Sequence, residues 1–137
     1  MNKLNILLVE DDQDDIELMQ DTLKDSRVDF MMEVIKQGDK VIPYLEMGKN
    51  FPDVILLDLN LPKMHGKEVL ERVKSSPDFQ KIPVVILTTS SAKEDQQHCL
   101  KAGANKFLTK PSTIAGFQET VAAILEVIEG HRAAQAP

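Results

Sequence analysis

No run of apolar residues in this sequence approaches the roughly 20 that a membrane-crossing helix needs. The start, Met1 to Asn5, also lacks the basic and then apolar regions of a secretory leader, so the expectation is a soluble protein kept in the cytoplasm with no membrane partner. Cysteine is nearly absent: Cys99 stands alone, cannot close an internal disulfide, and has no motif around it, which leaves it a small packing residue. Basic residues are in deficit, 16 Lys and Arg against 22 Asp and Glu, for a formal net charge of -6. Such a surface repels phosphate backbones and argues against direct nucleic-acid binding. At 137 residues the chain is long enough to close one sizeable core and too short for two ordinary domains, so one domain is the expectation. The expected division is one domain over 1-130 and a flexible C-terminal tail over 131-137.

What is present is a cycle repeated five times: a short run rich in Val, Ile and Leu, a polar loop, then an amphipathic stretch. That rhythm belongs to α/β proteins with a parallel sheet covered on both faces. The strand-like runs are Leu4 to Val9, Phe30 to Ile35, Val54 to Leu57, Val84 to Leu87 and Lys106 to Leu108. The first, third and fourth are nearly all apolar and belong at the centre; the second and fifth carry charges and belong nearer the edges. Helices are expected over Asp14 to Lys24, Asp39 to Met47, Lys67 to Ser75, Ser91 to about Gly103, and Thr113 to Glu129. Pro43 should make the second start late or bend. Ser91 and Glu94 have capping-box spacing for the fourth, and Gly130 is expected to close the fifth.

In an open parallel sheet, ligands bind beyond the carboxyl ends of the strands. Here those ends carry Glu10, Asp11 and Asp12 after the first strand, Asp58, Leu59 and Asn60 after the third, Thr88 and Thr89 after the fourth, and Thr109, Lys110 and Pro111 after the fifth. Crowded carboxylates repel, by roughly 4 kcal/mol for a pair ~4 Å apart at an effective dielectric of 20, unless a cation or proton intervenes. Oxygen-only ligands suit Mg²⁺ with waters and a phosphate completing its octahedron. A lysine adds the second positive charge of a phosphoryl-transfer site. No strand-end Ser or Cys has a nearby His, so the nucleophile must be a carboxylate, and Asp58 at mid-sheet is best placed.

The stretches Ile6-Leu7-Leu8-Val9-Glu10-Asp11-Asp12, Asp53 to Pro62, Pro83 to Thr88 and Lys110-Pro111 together resemble the receiver domain of bacterial two-component response regulators, from Ile6 to about Ile128. The resemblance implies a doubly wound five-stranded parallel sheet of flavodoxin-like order 2-1-3-4-5. It implies Asp58 as phosphoacceptor; Glu10, Asp11, Asp58 and the carbonyl of Asn60 as Mg²⁺ ligands; Thr88 and Lys110 as the groups that meet the phosphoryl oxygens; Thr88 and Phe107 as switch residues; and Pro111 as a cis proline. Asp12 is a flanking acid or helix cap. The partners implied are a sensor histidine kinase or histidine phosphotransfer protein, and a downstream protein target; the chain is not an enzyme beyond its own phosphorylation and dephosphorylation.

Two departures stand out. Ser112 follows the Lys-Pro pair where many members have an aromatic or hydrophobic residue. Asn105 and Lys106 replace the paired acid of the branch that dimerises on the last-strand face, so a homodimer stays open. The approach from Ser75 to Pro83 is similar to that of small stand-alone regulators paired with bacterial phytochromes. Other readings fit less well. A phosphatase of the haloacid dehalogenase type puts its nucleophile after the first strand with a second acid two residues on, and a flavodoxin-like carrier needs a loop that Glu10, Asp11 and Asp12 would make repulsive. A degenerate receiver would have lost part of the set that is intact here. Kinase, signal, target, and the choice between output regulator and phosphate shuttle are not written in the sequence. His65, His98 and His131 share no ligand spacing and are read as exposed polar residues.

Overall fold

The computed structural model describes residues 3-48 and 50-135. Five strands, β1 (Leu4–Val9), β2 (Phe30–Ile35), β3 (Val54–Leu57), β4 (Val84–Thr88) and β5 (Lys106–Thr109), form one parallel sheet in the order β2-β1-β3-β4-β5. The apolar runs β1, β3 and β4 take the centre and the two charged ones the edges. Five helices alternate with the strands: α1 (Gln13–Asp25), α2 (Val41–Met47), α3 (Gly66–Ser75), α4 (Lys93–Lys101) and α5 (Ile114–Gln135).

Because side chains alternate across a strand, the sheet builds two cores. Leu7, Val9, Ile55, Leu57, Val84 and Ile86 pack with Val41, Leu45, Val69, Leu70 and Cys99 of α2, α3 and α4. Ile6, Leu8, Val54, Leu56, Val85 and Leu87 pack with Ile16, Met19 and Leu23 of α1 and Phe117, Val121, Ile124 and Ile128 of α5. Each fully buried aliphatic side chain stabilises by roughly 1.5–3 kcal/mol, so truncating Leu56, which is fully buried, would cost about 2–5 kcal/mol.

Local chemistry decides where the helices begin. Asp12 caps α1, its side chain accepting from the Asp15 N–H at 3.0 Å. A 3₁₀ turn over Gly38–Lys40 delays α2 until Val41, which puts Pro43 in the first turn where its missing N–H costs no intrahelical bond. Before α3, His65 is the cap: its Nδ1 accepts from the Lys67 N–H at 3.1 Å. Gly66 follows because a Cβ there would lie 2.2 Å from the Asp58 carbonyl oxygen, while its own N–H donates to Leu59 O at 2.7 Å. Only glycine lets α3 start this close to the end of β3.

Three expectations need correction. The cap of α4 is Ala92, not Ser91; Ser90 takes over the polar role, accepting from the Ala92 N–H at 3.3 Å and donating to Asp95 at 2.5 Å. No peptide bond among the described residues is cis, so Lys110–Pro111 is trans, the form an X–Pro bond prefers by ~0.5–1 kcal/mol. And α5 runs through Gly130 to Gln135, where Gly130 was expected to close it. Gly130 sits on the exposed side with open space where a Cβ would stand, and Arg132, two residues on, pairs with Asp53 at 3.2 Å, which ties the last turns to the sheet. Ala136 and Pro137 lie outside the described residues. Ser112 does not disturb the start of α5, since Thr113 Oγ1 accepts from the Gly116 N–H at 3.0 Å.

Candidate functional site

The strands extend their ladders one residue past their ends, and those residues form the site. Glu10 N–H donates to Ile35 O at 3.0 Å, Asp58 N–H to Val9 O at 3.0 Å, and Lys110 N–H to Thr88 O at 2.7 Å. Glu10, Asp58 and Lys110 share the parity of Leu8, Leu56 and Leu108, so all three set out on the face of the sheet that α1 and α5 cover. Glu10, Asp58 and Thr88 are buried, and Asp11 is exposed at the mouth.

One carboxylate oxygen from each of Glu10, Asp11 and Asp58 lies within 4.8 Å of the others. Asp58 Oδ1 is occupied by the Leu59 N–H at 2.8 Å, leaving Oδ2 turned toward Lys110 Nζ at 3.5 Å. The lysine is closer to Glu10, at 2.5 Å, and to Asp15, at 2.8 Å. Burial pushes the Glu10 carboxyl up to about 7, opposed by its bond to Lys110 and reinforced by the charge of Asp58. Burial alone would lower Lys110, but its bonds to Asp15 and Glu10 and the nearby Asp58 outweigh that and hold the ammonium above its ordinary range. The arrangement is an anionic hollow with one fixed cation, suited to a divalent ion and a phosphoryl group.

The chain matches the response regulator receiver domain over residues 6–122. It belongs to that family. This receiver domain is 41% identical over 110 residues to response regulator Rcp1 of Synechocystis sp. (strain ATCC 27184 / PCC 6803 / Kazusa), covering 77% of this chain and 75% of that protein. Its fold superposes on the phosphorylated cyanobacterial phytochrome response regulator RcpA with a TM-score of 0.84 at 38% identity, over 91% of this chain and 93% of that one. The Mn²⁺-bound form of Rcp1 gives 0.80 at 38% identity, over 88% and 91%. The receiver is thus a signalling module of two-component systems, and no helix among the described residues is long and apolar enough to cross a membrane.

Most of the residues singled out in the sequence converge in the receiver's site. Glu10, Asp11, Asp58 and Lys110 come together. Asn60 is exposed two residues past Asp58. Thr88 is fully buried, its Oγ1 accepting from the Ser90 N–H at 3.4 Å. Phe107 pairs in register with Ile86, two residues before Thr88, and half-buried it packs on the core under α4. Of the histidines, His65 is a helix cap, exposed His98 pairs with Glu71 at 2.8 Å, and His131 is half-buried in α5.

Two features were missed. One is Asp15, which the strand-end pattern did not single out, yet it holds Lys110. Its signal was the helix itself: side chains lean toward the helix N-terminus, and α1 starts at the site. The second is a cross-helix network in which Asp95 of α4 pairs with Lys67 of α3 and accepts from Ser90, fixing the loop after β4. Nothing in the spacing of single residues on two helices announces such a contact.

Proposed function

We propose that this receiver is a phosphorylation-controlled switch that takes a phosphoryl group on Asp58 from a phosphohistidine of a sensor kinase or phosphotransfer protein. The observation that carries this is Asp58 Oδ2, flanked by two further carboxylates and facing the Lys110 ammonium at 3.5 Å. In the transfer, the histidine N–P bond breaks as an Asp58 Oδ2–P bond forms, and the electron pair stays on the imidazole, which leaves neutral because its other nitrogen carries a proton. Glu10, Asp11, Asp58 and the carbonyl of Asn60 would hold Mg²⁺, which supplies charge neutralisation of the phosphoryl oxygens. The fit rests on the crowding of three acids and on the raised Glu10, both of which a divalent cation relieves. Mn²⁺ in the related Rcp1 supports a divalent site.

Lys110 and Thr88 receive the phosphoryl oxygens. Thr88 moving toward them vacates space for Phe107, so two packings compete and the group biases one. The output is a protein contact on the face of α4, β5 and α5, where Leu100 and Ile114 are exposed, the latter by 71%. Its work is done in the cytoplasm, without nucleic acid. Intact mass after a small phosphoryl donor and Mg²⁺ tests the site: one added phosphoryl group on the wild type, none on Asp58→Asn. Equal labelling of the two would overturn the assignment.

A further inference from the structure

Lys110 has more carboxylates than the phosphorylation site requires. Glu10 and Asp58 belong to the strand ends, but the 2.8 Å bond to Asp15 comes from a different element, the first turn of α1, and from 95 residues away in sequence. Charge-assisted N–H···O bonds fall near 2.7–2.9 Å, so the bond to Asp15 is fully made while the 3.5 Å approach to Asp58 is not. In this state the ammonium is drawn toward α1 and away from the oxygen on which a phosphoryl group would arrive.

The two acids that hold it differ in what release would cost. The Glu10 side chain is 4% exposed, so losing its lysine leaves a charge without water. The Asp15 side chain is 28% exposed and can be rehydrated. A phosphoryl group on Asp58 adds negative charge and acceptor oxygens beside Lys110. The bond that yields is the one to the wetter acid.

We propose that Asp15 is a positioning residue of this site, which retains the Lys110 ammonium in the unphosphorylated protein and competes for it with the phosphoryl group. The inference rests on the function proposed above, and it makes the acidic first turn of α1 part of the equilibrium between the two states. Asp14, its neighbour, is exposed and makes no contact with Lys110. It carries the same charge near the same helix terminus, so it separates a general electrostatic effect from the specific bond.

The experiment titrates the full chain with beryllofluoride in the presence of Mg²⁺, comparing wild type, Asp15→Asn, Asp15→Glu and Asp14→Asn. Removing the competitor should tighten binding roughly two- to fivefold in Asp15→Asn, the range a partly exposed ion pair supports. Asp15→Glu, which keeps a carboxylate, should fall back toward wild type, and Asp14→Asn should match it. In the wild type alone, the Asp15 side-chain carboxyl ¹³C signal should shift on beryllofluoride addition as the ammonium leaves. Equal or weaker binding by Asp15→Asn, an effect of the same size in Asp14→Asn, or an unmoved Asp15 signal in a protein that does bind the mimic would overturn the inference alone. No binding by the wild type would overturn the function proposed for the site and this inference with it.

Discussion

Two half-buried lysines at opposite ends of the sheet do opposite work. At the amino ends of β4 and β5, Lys74 Nζ donates to Ile82 O at 2.7 Å, Gln80 O at 3.2 Å and Asn105 Oδ1 at 3.4 Å, and Asn105 Oδ1 accepts in turn from the Val84 N–H at 2.9 Å. Every acceptor is neutral, and burial lowers the Lys74 pKa. At the carboxyl ends, Lys110 faces Glu10, Asp15 and Asp58, all ionisable, and its pKa rises. The first arrangement closes a loop. The second leaves several negative charges around a single positive one, a tension that only a cation, a proton or a rearrangement relieves. The site proposed for phosphorylation is marked by that imbalance and not by burial of a charge as such.

Removing each ammonium should break this comparison cleanly. Lys110→Met is expected to slow labelling by a small phosphoryl donor by roughly 100-fold, the scale of losing one preorganised electrostatic donor. Lys74→Met should leave labelling nearly unchanged and instead cost about 1–3 kcal/mol in urea denaturation, because carbonyls at the amino end lose their donor. A comparable labelling defect in both variants would show that the two ends are not separable.

The carboxyl end should also be the pH-sensitive one. Glu10, raised from 4.5 to about 7 by burial, binds more protons in the metal-free fold than in the unfolded chain between those values. Stability therefore falls as pH rises across that window and the penalty is complete above it, by at most ~3 kcal/mol. Denaturation of metal-free protein from pH 4.5 to 7.5 should show this downward slope, and Glu10→Gln should flatten it. A slope that survives in Glu10→Gln would move the strain to another group. A smaller effect of the same origin is expected at the mouth: Asp11→Asn should raise the metal-free melting midpoint by about 3 °C, for ~1 kcal/mol of relieved repulsion, and lose the Mg²⁺-induced increase. Retention of that increase would remove Asp11 from the metal site.

The central places of β1, β3 and β4, the two-sided core and the convergence of Glu10, Asp11, Asp58 and Lys110 were legible because each depends on a local pattern, all-apolar runs for central strands and polar residues just past their ends, whereas the full strand order came from the family resemblance. The sequence did not disclose which acid the lysine prefers. That choice depends on where α1 starts and how its first turn leans, a matter of three-dimensional placement. The same applies to Ser90, Asp95 and Lys67, whose contact joins two helices and a loop. At Ala92 the capping rule pointed one residue too early, since a neighbouring serine and aspartate satisfy the backbone without a side chain at the cap itself. Gly130 misled for another reason: glycine ends helices when it is left-handed, and only the structure reveals that here it stays helical.

Gly130 gives the smallest expected effect and one in which sign decides. If the helix ended there, glycine would occupy the left-handed position after the last turn, and alanine would be strained and destabilising. In the structure Gly130 lies inside α5, five residues before Gln135, with nothing within 4 Å of where a Cβ would stand. Alanine then gains helix propensity and loses no contact, so Gly130→Ala should stabilise by up to ~1 kcal/mol and leave phosphoryl labelling at Asp58 unchanged. The gain should depend on Arg132, whose pair with Asp53 fastens the segment beyond the glycine to the amino end of the sheet. In an Arg132→Ala background that segment frays more readily, and Gly130→Ala should recover part of the loss by making the free helix more favourable. Destabilisation by Gly130→Ala in urea denaturation would mean that α5 stops at 130 in solution and that 131-135 contribute nothing to the fold.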